Sequence, residues 1–303
     1  MNPKNAITVD AIQVLVRLSK EQPPLYKNGN RDALISLFGE CESKEHFQLL
    51  EKLITNFNYL TSADLEKGAD KVAEYIISDW GLNPKRTLIA ATTDDDKTDG
   101  AQVFSKSLEA ALARKKQKYS IKNRLGFVFN TEDLMARSIE SIVLVDDFIG
   151  TGDKITKLIQ RIKEHIDPKI AIFVASLAGM RFGIKNIETS SKCKVFCPNQ
   201  FERGISDSKD INEVKMQIDA MIELERPLIP PMKYPRDEHE RSYSFGYGQS
   251  EALFILEGYT VPNNVFPIFW WGKFFDIATF EPTLLKRKNK GARRERTTLL
   301  ARG

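Results

Sequence analysis

The sequence predicts an α/β fold: a mostly parallel sheet set between an N-terminal helical region and a C-terminal aromatic-rich subdomain. Three observations predict it. Short apolar runs at 87–91, 125–129, 142–145 and 169–176 alternate with segments of helical period, the pattern of strands joined by right-handed crossovers. The run at 142–145 suits a strand buried on both faces, and it stops on Asp146 and Asp147, which cannot lie unpaired in a core. Hydrophobic residues make up 42% of the chain and charged residues 28%, so a sizeable soluble core is within reach.

Residues 1–80 read as helical. Ala11, Val14, Leu15 and Leu18 keep a helical period, Pro23 and Pro24 interrupt it, and 33–38, 46–57 and 63–77 resume it, with Ser62 as a helix start. The core spans 81–205. It opens with a strand at 87–91, an acidic loop at 92–99 and a helix near 102–112. Arg114, Lys115, Lys116, Lys118, Lys122 and Arg124 form a basic connector, read as a charged helix end or as a lid over a polyanion. Strands follow at 125–129, 142–145, 169–176 and 195–197. Between the second and third of these lies a helix that puts Ile155, Leu158, Ile159 and Ile162 on one face. The C-terminal subdomain spans 206–285, with a helix at 211–224, a proline-marked loop, a strand at 252–256, a turn at Pro262-Asn263-Asn264 and an apolar return at 265–271. Residues 286–303 are a basic tail.

The chemistry concentrates at 141–155, SIVLVDDFIGTGDKI. Two acids at a strand's carboxyl end face the crevice where open sheets bind ligands. Carboxylates suit sugar hydroxyls and Mg2+. The turn bearing Gly150 and Gly152 lets backbone approach a ligand, and the helix start behind it offers unpaired N–H groups to a phosphate. No G-x-x-x-x-G-K-[ST] loop accompanies the acids, which argues against a Walker B strand.

This stretch resembles the phosphoribosyl-pyrophosphate (PRPP) loop of type I phosphoribosyltransferases. The resemblance implies that Asp146 and Asp147 bind the ribose 2- and 3-hydroxyls directly or through Mg2+, serving as the catalytic and metal-binding pair. It also implies that Gly150, Thr151, Gly152, Asp153 and Lys154 cradle the 5-phosphate. Two residues depart from that family's pattern. Asp153 puts a carboxylate beside the phosphate, unfavourable unless it points away to cap the helix or is offset by Lys154. Gly150 stands where 6-oxopurine enzymes carry an Asp, so purine salvage is disfavoured. The loop holding pyrophosphate in the family reads here Thr-Thr-Asp-Asp-Asp-Lys-Thr-Asp, so either Mg2+ bridges Asp94, Asp95 or Asp96 to phosphates or the loop serves another purpose.

A second stretch, FGYGQSEALFILEGYTVPNNVFPIFWW at 245–271, is similar to the PRTase-CE branch of that superfamily, found in bacterial conflict and anti-phage systems including some retrons. It implies an effector working beside a partner such as a reverse transcriptase with its nucleic acid. The tail carries Lys286, Arg287, Lys288, Lys290, Arg293, Arg294 and Arg296, and is either a solvated terminus or a phosphate-binding arm.

Other classes are excluded or left open. No run approaches the length of a membrane span, and three cysteines fit a reducing cytoplasm better than a disulfide framework. The histidines His46, His165 and His239 are scattered and argue no metal cluster. A net charge of +4 does not by itself imply nucleic-acid binding. The expected activity is transfer or cleavage at the anomeric carbon of PRPP or a related ribose phosphate. The alternative is a non-catalytic nucleotide-binding or scaffold subunit of a defence complex, contacting nucleic acid through its tail; an oligomer is compatible with either.

Overall fold

The computed structural model describes residues 9–27, 30–93, 99–125, 131–136, 138–228, 244–271 and 283–286. Amphipathic periods in the N-terminal region become α1 (Val9–Glu21), α2 (Pro23–Lys27), α3 (Arg31–Gly39) and α4 (Lys44–Thr55), and Ser43 caps the last by accepting from the His46 N–H. A short strand, β1 (Asn58–Leu60), precedes α5 (Ser62–Glu74). The start of α5 is fixed by a reciprocal cap: the Thr61 side chain accepts from the Asp64 N–H, and Asp64 accepts from the Thr61 N–H. A π-helical turn over Tyr75–Asp79 ends that helix.

The sheet follows. Its elements are β2 (Thr87–Ala91), α6 (Gly100–Arg114), β3 (Ser120–Lys122), α7 (Thr131–Ala136), β4 (Ser141–Ile149), α8 (Asp153–Lys163), β5 (Ala171–Met180), α9 (Arg181–Ser191), β6 (Lys194–Phe196) and β7 (Asn199–Phe201). All pairings are parallel, in the order β3-β2-β4-β5-β6, with β7 pairing the far end of β5. The apolar half of β4, 142–145, lies in the middle of the sheet, where both faces are covered. Its alternate residues part to opposite sides. Ile142 and Leu144 pack with Ile155, Ile159 and Ile162 of α8 and with Ile187 of α9, whereas Val143 and Val145 pack with Val72 of α5 and with Phe104 and Leu108 of α6.

The third element group joins the two ends of the chain. α10 (Ile211–Glu225) packs on α4, and β8 (Phe254–Leu256) pairs in parallel with β1, Asn58 opposite Phe254. Val14, Leu34 and Leu53 from the first helices share one core with Met221, Phe266 and Phe269. The aromatic stretch is mostly core: Phe254, Phe266 and Phe269 are fully buried, and Phe254 stacks on Phe148 with ring centroids 4.6 Å apart.

Two sequence expectations are corrected, and a third lies mostly outside the described residues. Of the strand expected at 125–129 only Leu125 is described, and the edge strand, β3, lies upstream at Ser120–Lys122, inside the basic connector. As an edge strand β3 needs little burial, so an apolar run is the wrong signal for it. The apolar return at 265–271 is a 3-10 turn at Pro267–Phe269 with a single bridge from Val265 to Ala252, since Pro267 has no N–H for a ladder. The helical lead-in contains a strand, β1, whose partner is some two hundred residues away and so invisible to local pattern.

Candidate functional site

Asp146 and Asp147 lie in the C-terminal half of β4, inside the strand and not beyond its end as the sequence suggested, since its ladder with β5 continues past them to Ile149 opposite Gly179. The two acids are placed differently. Asp146 is only 6% exposed. Its Oδ2 accepts from Thr92 Oγ1 at 2.5 Å and lies 3.6 Å from Lys154 Nζ, and its Oδ1 accepts from the Asp147 N–H at 3.0 Å. The burial of this charge is thus compensated at both oxygens. Asp147 is half-buried, whereas Asp146 is almost wholly buried and paired with the exposed Lys154.

Asp147 lies against the start of α6. A methyl group on Gly100 would overlap its carboxylate, so that approach requires glycine. The preceding residue, Asp99, caps α6 by accepting from the Gln102 N–H at 3.1 Å. Burial first, then the Asp146 and Asp99 charges, push the Asp147 carboxyl well above the usual carboxylate range. Lys154 is held above its ordinary value chiefly by Asp146. Lys154 therefore answers the acids of β4 rather than Asp153, as the sequence had allowed.

The turn after β4 is held from two sides. Gly152 has φ +82°, and a side chain there would collide with the carbonyl of Gly183 at the start of α9. As the N-cap of α8 it brings no side-chain oxygen, which leaves first-turn N–H groups for a ligand. From α9, Asn186 Nδ2 donates to the Thr151 carbonyl at 2.9 Å and to Asp153 Oδ1 at 3.0 Å. On the other side stands the C-terminal stretch. The Asn264 amide occupies the space a side chain at Gly150 would fill, and Gly248, at φ +61°, abuts the Thr151 methyl. Asn264 Nδ2 donates to Ser250 Oγ at 3.1 Å, which keeps that amide in place.

The structure therefore gathers Asp146, Asp147, Gly150, Thr151, Gly152, Asp153 and Lys154 at the carboxyl end of β4, and adds Thr92, Gly100, Asn186, Gly248 and Asn264 around them. Asp94, Asp95 and Asp96 lie outside the described residues. Of the added residues only Gly100 stands beside a local signal, the N-cap spacing of Asp99 with Gln102. The others arrive through tertiary contacts. The Gly-Tyr-Gly and Pro-Asn-Asn signatures were visible in sequence but not their place over the turn.

Among the described residues no group of three or more His, Cys, Asp or Glu is set to hold a metal ion by side chains alone. The oxygen-only set at Asp146 and Asp147, with its crowded negative charge, suits a hard dication that completes its shell with ligand oxygens and water. No helix among the described residues is long and apolar enough to cross a membrane.

Several solved structures are similar to the chain at low identity. The chain is 16% identical to a purine phosphoribosyltransferase from Pyrococcus horikoshii Ot3, covering 48% of this chain and 87% of that one at a TM-score of 0.29. It is 14% identical to the AQ2163 protein from Aquifex aeolicus, covering 61% and 87% at a TM-score of 0.31. A hypoxanthine-guanine phosphoribosyltransferase from Schistosoma mansoni, solved with IMP, is 15% identical, with 46% of this chain and 65% of that one covered at a TM-score of 0.29. At these values the likeness carries no argument about substrate. No curated protein matches the chain. The profile of the PRTase-CE family matches residues 37–282, most of the chain, and the protein belongs to that family.

Proposed function

We propose that the protein is a phosphoribosyltransferase-like enzyme that binds PRPP or a related ribose phosphate and acts at its anomeric carbon. One observation carries the reading: the Asp146–Asp147 pair and the glycine turn at the N-terminus of α8 converge at one end of β4, a sugar-binding pair beside a phosphate-binding turn. Asp147, the more open acid, takes the ribose hydroxyls, and Asp146 holds its orientation through the Asp147 N–H while its own charge is fixed by Thr92 and Lys154. The turn 150–154 receives the 5-phosphate. When the C1–O bond breaks, its electrons leave with the pyrophosphate and positive charge builds on the sugar, which the acid pair stabilises and the fixed hydroxyl contacts hold in line. Mg2+ held by Asp147 and Asp146, when bound, would offset the charge of the departing pyrophosphate.

Membership of PRTase-CE, together with the resemblance to its conflict-system branch, supports a role as the effector of a bacterial anti-phage, retron-type system, with a reverse transcriptase and its nucleic acid as partner. Calorimetry with PRPP and Mg2+, paired with an assay of pyrophosphate release, tests the enzymatic reading. Wild-type protein binds and turns over, and Asp146→Asn loses both; binding unaffected by that substitution overturns it.

A second reading, a binding or scaffold subunit without turnover, is favoured by the burial of Asp146 and its ion pair with Lys154. It predicts binding of ribose phosphates with no pyrophosphate released under any partner condition.

A further inference from the structure

Two of the donors that a phosphate would use at the turn, the Thr151 hydroxyl and the Asp153 N–H, are already engaged within it. Thr151 Oγ1 donates to Asp153 Oδ2 at 3.0 Å, and the Asp153 N–H, at the first position of α8, donates back to Thr151 Oγ1 at 3.3 Å. The hydroxyl thus serves the Asp153 carboxylate, and the foremost amide of the turn serves the hydroxyl oxygen. The other carboxylate oxygen of Asp153, Oδ1, accepts from Asn186 Nδ2 on α9. The same Asn186 amide also holds the Thr151 carbonyl. The nearest lysine does not compensate Asp153, since Lys154 Nζ turns to Asp146. Asp153 is exposed, so water competes for each of these bonds and the carboxylate can be displaced.

We propose that Asp153 is a built-in competitor for the ligand's phosphate, an affinity-setting residue that must release Thr151 before a phosphate can take the turn. Asn186 gives it a resting place: with the Oδ1 bond to α9 kept, the carboxylate can swing away from the hydroxyl without leaving the helix start. The competition lowers affinity twice, by engaging the Thr151 hydroxyl and by setting a negative charge a few ångströms from an incoming dianion. The site therefore favours ligands that bring additional anchoring, from ribose hydroxyls and a bridging cation, over those that offer a phosphate alone.

The inference rests on the turn being the phosphate end of the site. Ribose 5-phosphate with Mg2+ is titrated calorimetrically into the wild-type chain and into Asp153→Asn, Asp153→Ser and Asp146→Asn, each checked for folding by its thermal transition. Loss of the charge in Asp153→Asn and Asp153→Ser is expected to tighten binding about tenfold. Two alternative outcomes separate the claims. If the wild type binds and Asp146→Asn does not, yet both Asp153 variants bind equally or more weakly, the competitor role is wrong and the site assignment stands. If no folded variant binds ribose 5-phosphate, both are overturned.

Discussion

The Asp147 carboxylate rests directly against the Gly100 Cα, so the second acid of β4 and the first residue of α6 share one space that a single methyl group would fill. Gly100→Ala must displace either the acid or the helix start. The expected outcome is a ribose-phosphate affinity about tenfold weaker, roughly 1.4 kcal/mol, with the thermal transition lowered by only a few degrees. Titration of the alanine variant beside the wild type checks it; an unchanged affinity means Asp147 does not touch the ligand.

The raised Asp147 carboxyl gives binding a pH dependence. Held well above its ordinary value by burial and by Asp146 and Asp99, the group is protonated in the folded protein at pH values where an unfolded Asp is ionised. A cation and ribose hydroxyls both need the ionised form. Affinity for PRPP with Mg2+ is therefore expected to rise with pH as Asp147 ionises, the rise lying above the ordinary carboxylate range, and Asp147→Asn is expected to weaken binding and flatten the profile.

Glu225, at the end of α10, is buried and accepts from Ser244 Oγ at 2.7 Å and the Phe245 N–H at 2.9 Å, two residues before the Gly-Tyr-Gly stretch begins. Desolvation pushes its carboxyl to about 7, opposed by those hydrogen bonds and by the Ile268 backbone and reinforced by Glu251. Because the folded value lies above the unfolded one, the stability is fully present below about pH 4.5 and is lost as pH rises toward 7, by about 3 kcal/mol at most. Glu225→Gln mimics the neutral form. It is expected to raise the transition temperature at pH 8 by several degrees and to leave it nearly unchanged at pH 5; equal effects at both values would show that Glu225 is not the titrating group.

Phe254 is stacked between Phe148 of the sheet and Phe201 of β7, and it begins the strand that pairs with β1. Truncation to alanine opens a cavity at the point where the C-terminal stretch is fastened to the sheet. Phe254→Ala is expected to cost about 3–5 kcal/mol in a denaturant titration. It should also weaken ligand binding, because Gly248 and Asn264 lose their fixed place over the turn.

Much of this was legible in the sequence where structure is made locally. The run 142–145 announced β4 because a strand covered on both faces must be apolar throughout, and Ile155, Leu158, Ile159 and Ile162 announced α8 because their spacing admits one buried face. The turn residues were legible because an acidic pair followed by Gly-x-Gly at a strand end has few structural uses. What remained hidden depended on distance along the chain. Nothing near Thr92 marks it as the donor to Asp146, nothing near Asn186 marks it as the brace of Thr151, and the strand character of 58–60 exists only because 254–256 lies beside it. Lys154 shows a different limit: its neighbour Asp153 was the obvious counter-charge by sequence, yet the lysine reaches Asp146 because that charge is buried and more in need of compensation.

The parallel pairing of β1 with β8 brings together residues 195 positions apart, the Asn58 amide side chain meeting the Leu253 carbonyl. During synthesis β1 must wait unpaired until β8 has left the ribosome. A message cut short anywhere before that point yields a chain with a phosphate turn but no wall over it, and with an open edge inviting association. Assembly of the wall over the turn is thereby tied to synthesis of β8 and the stretch around it, long after the turn itself has been made.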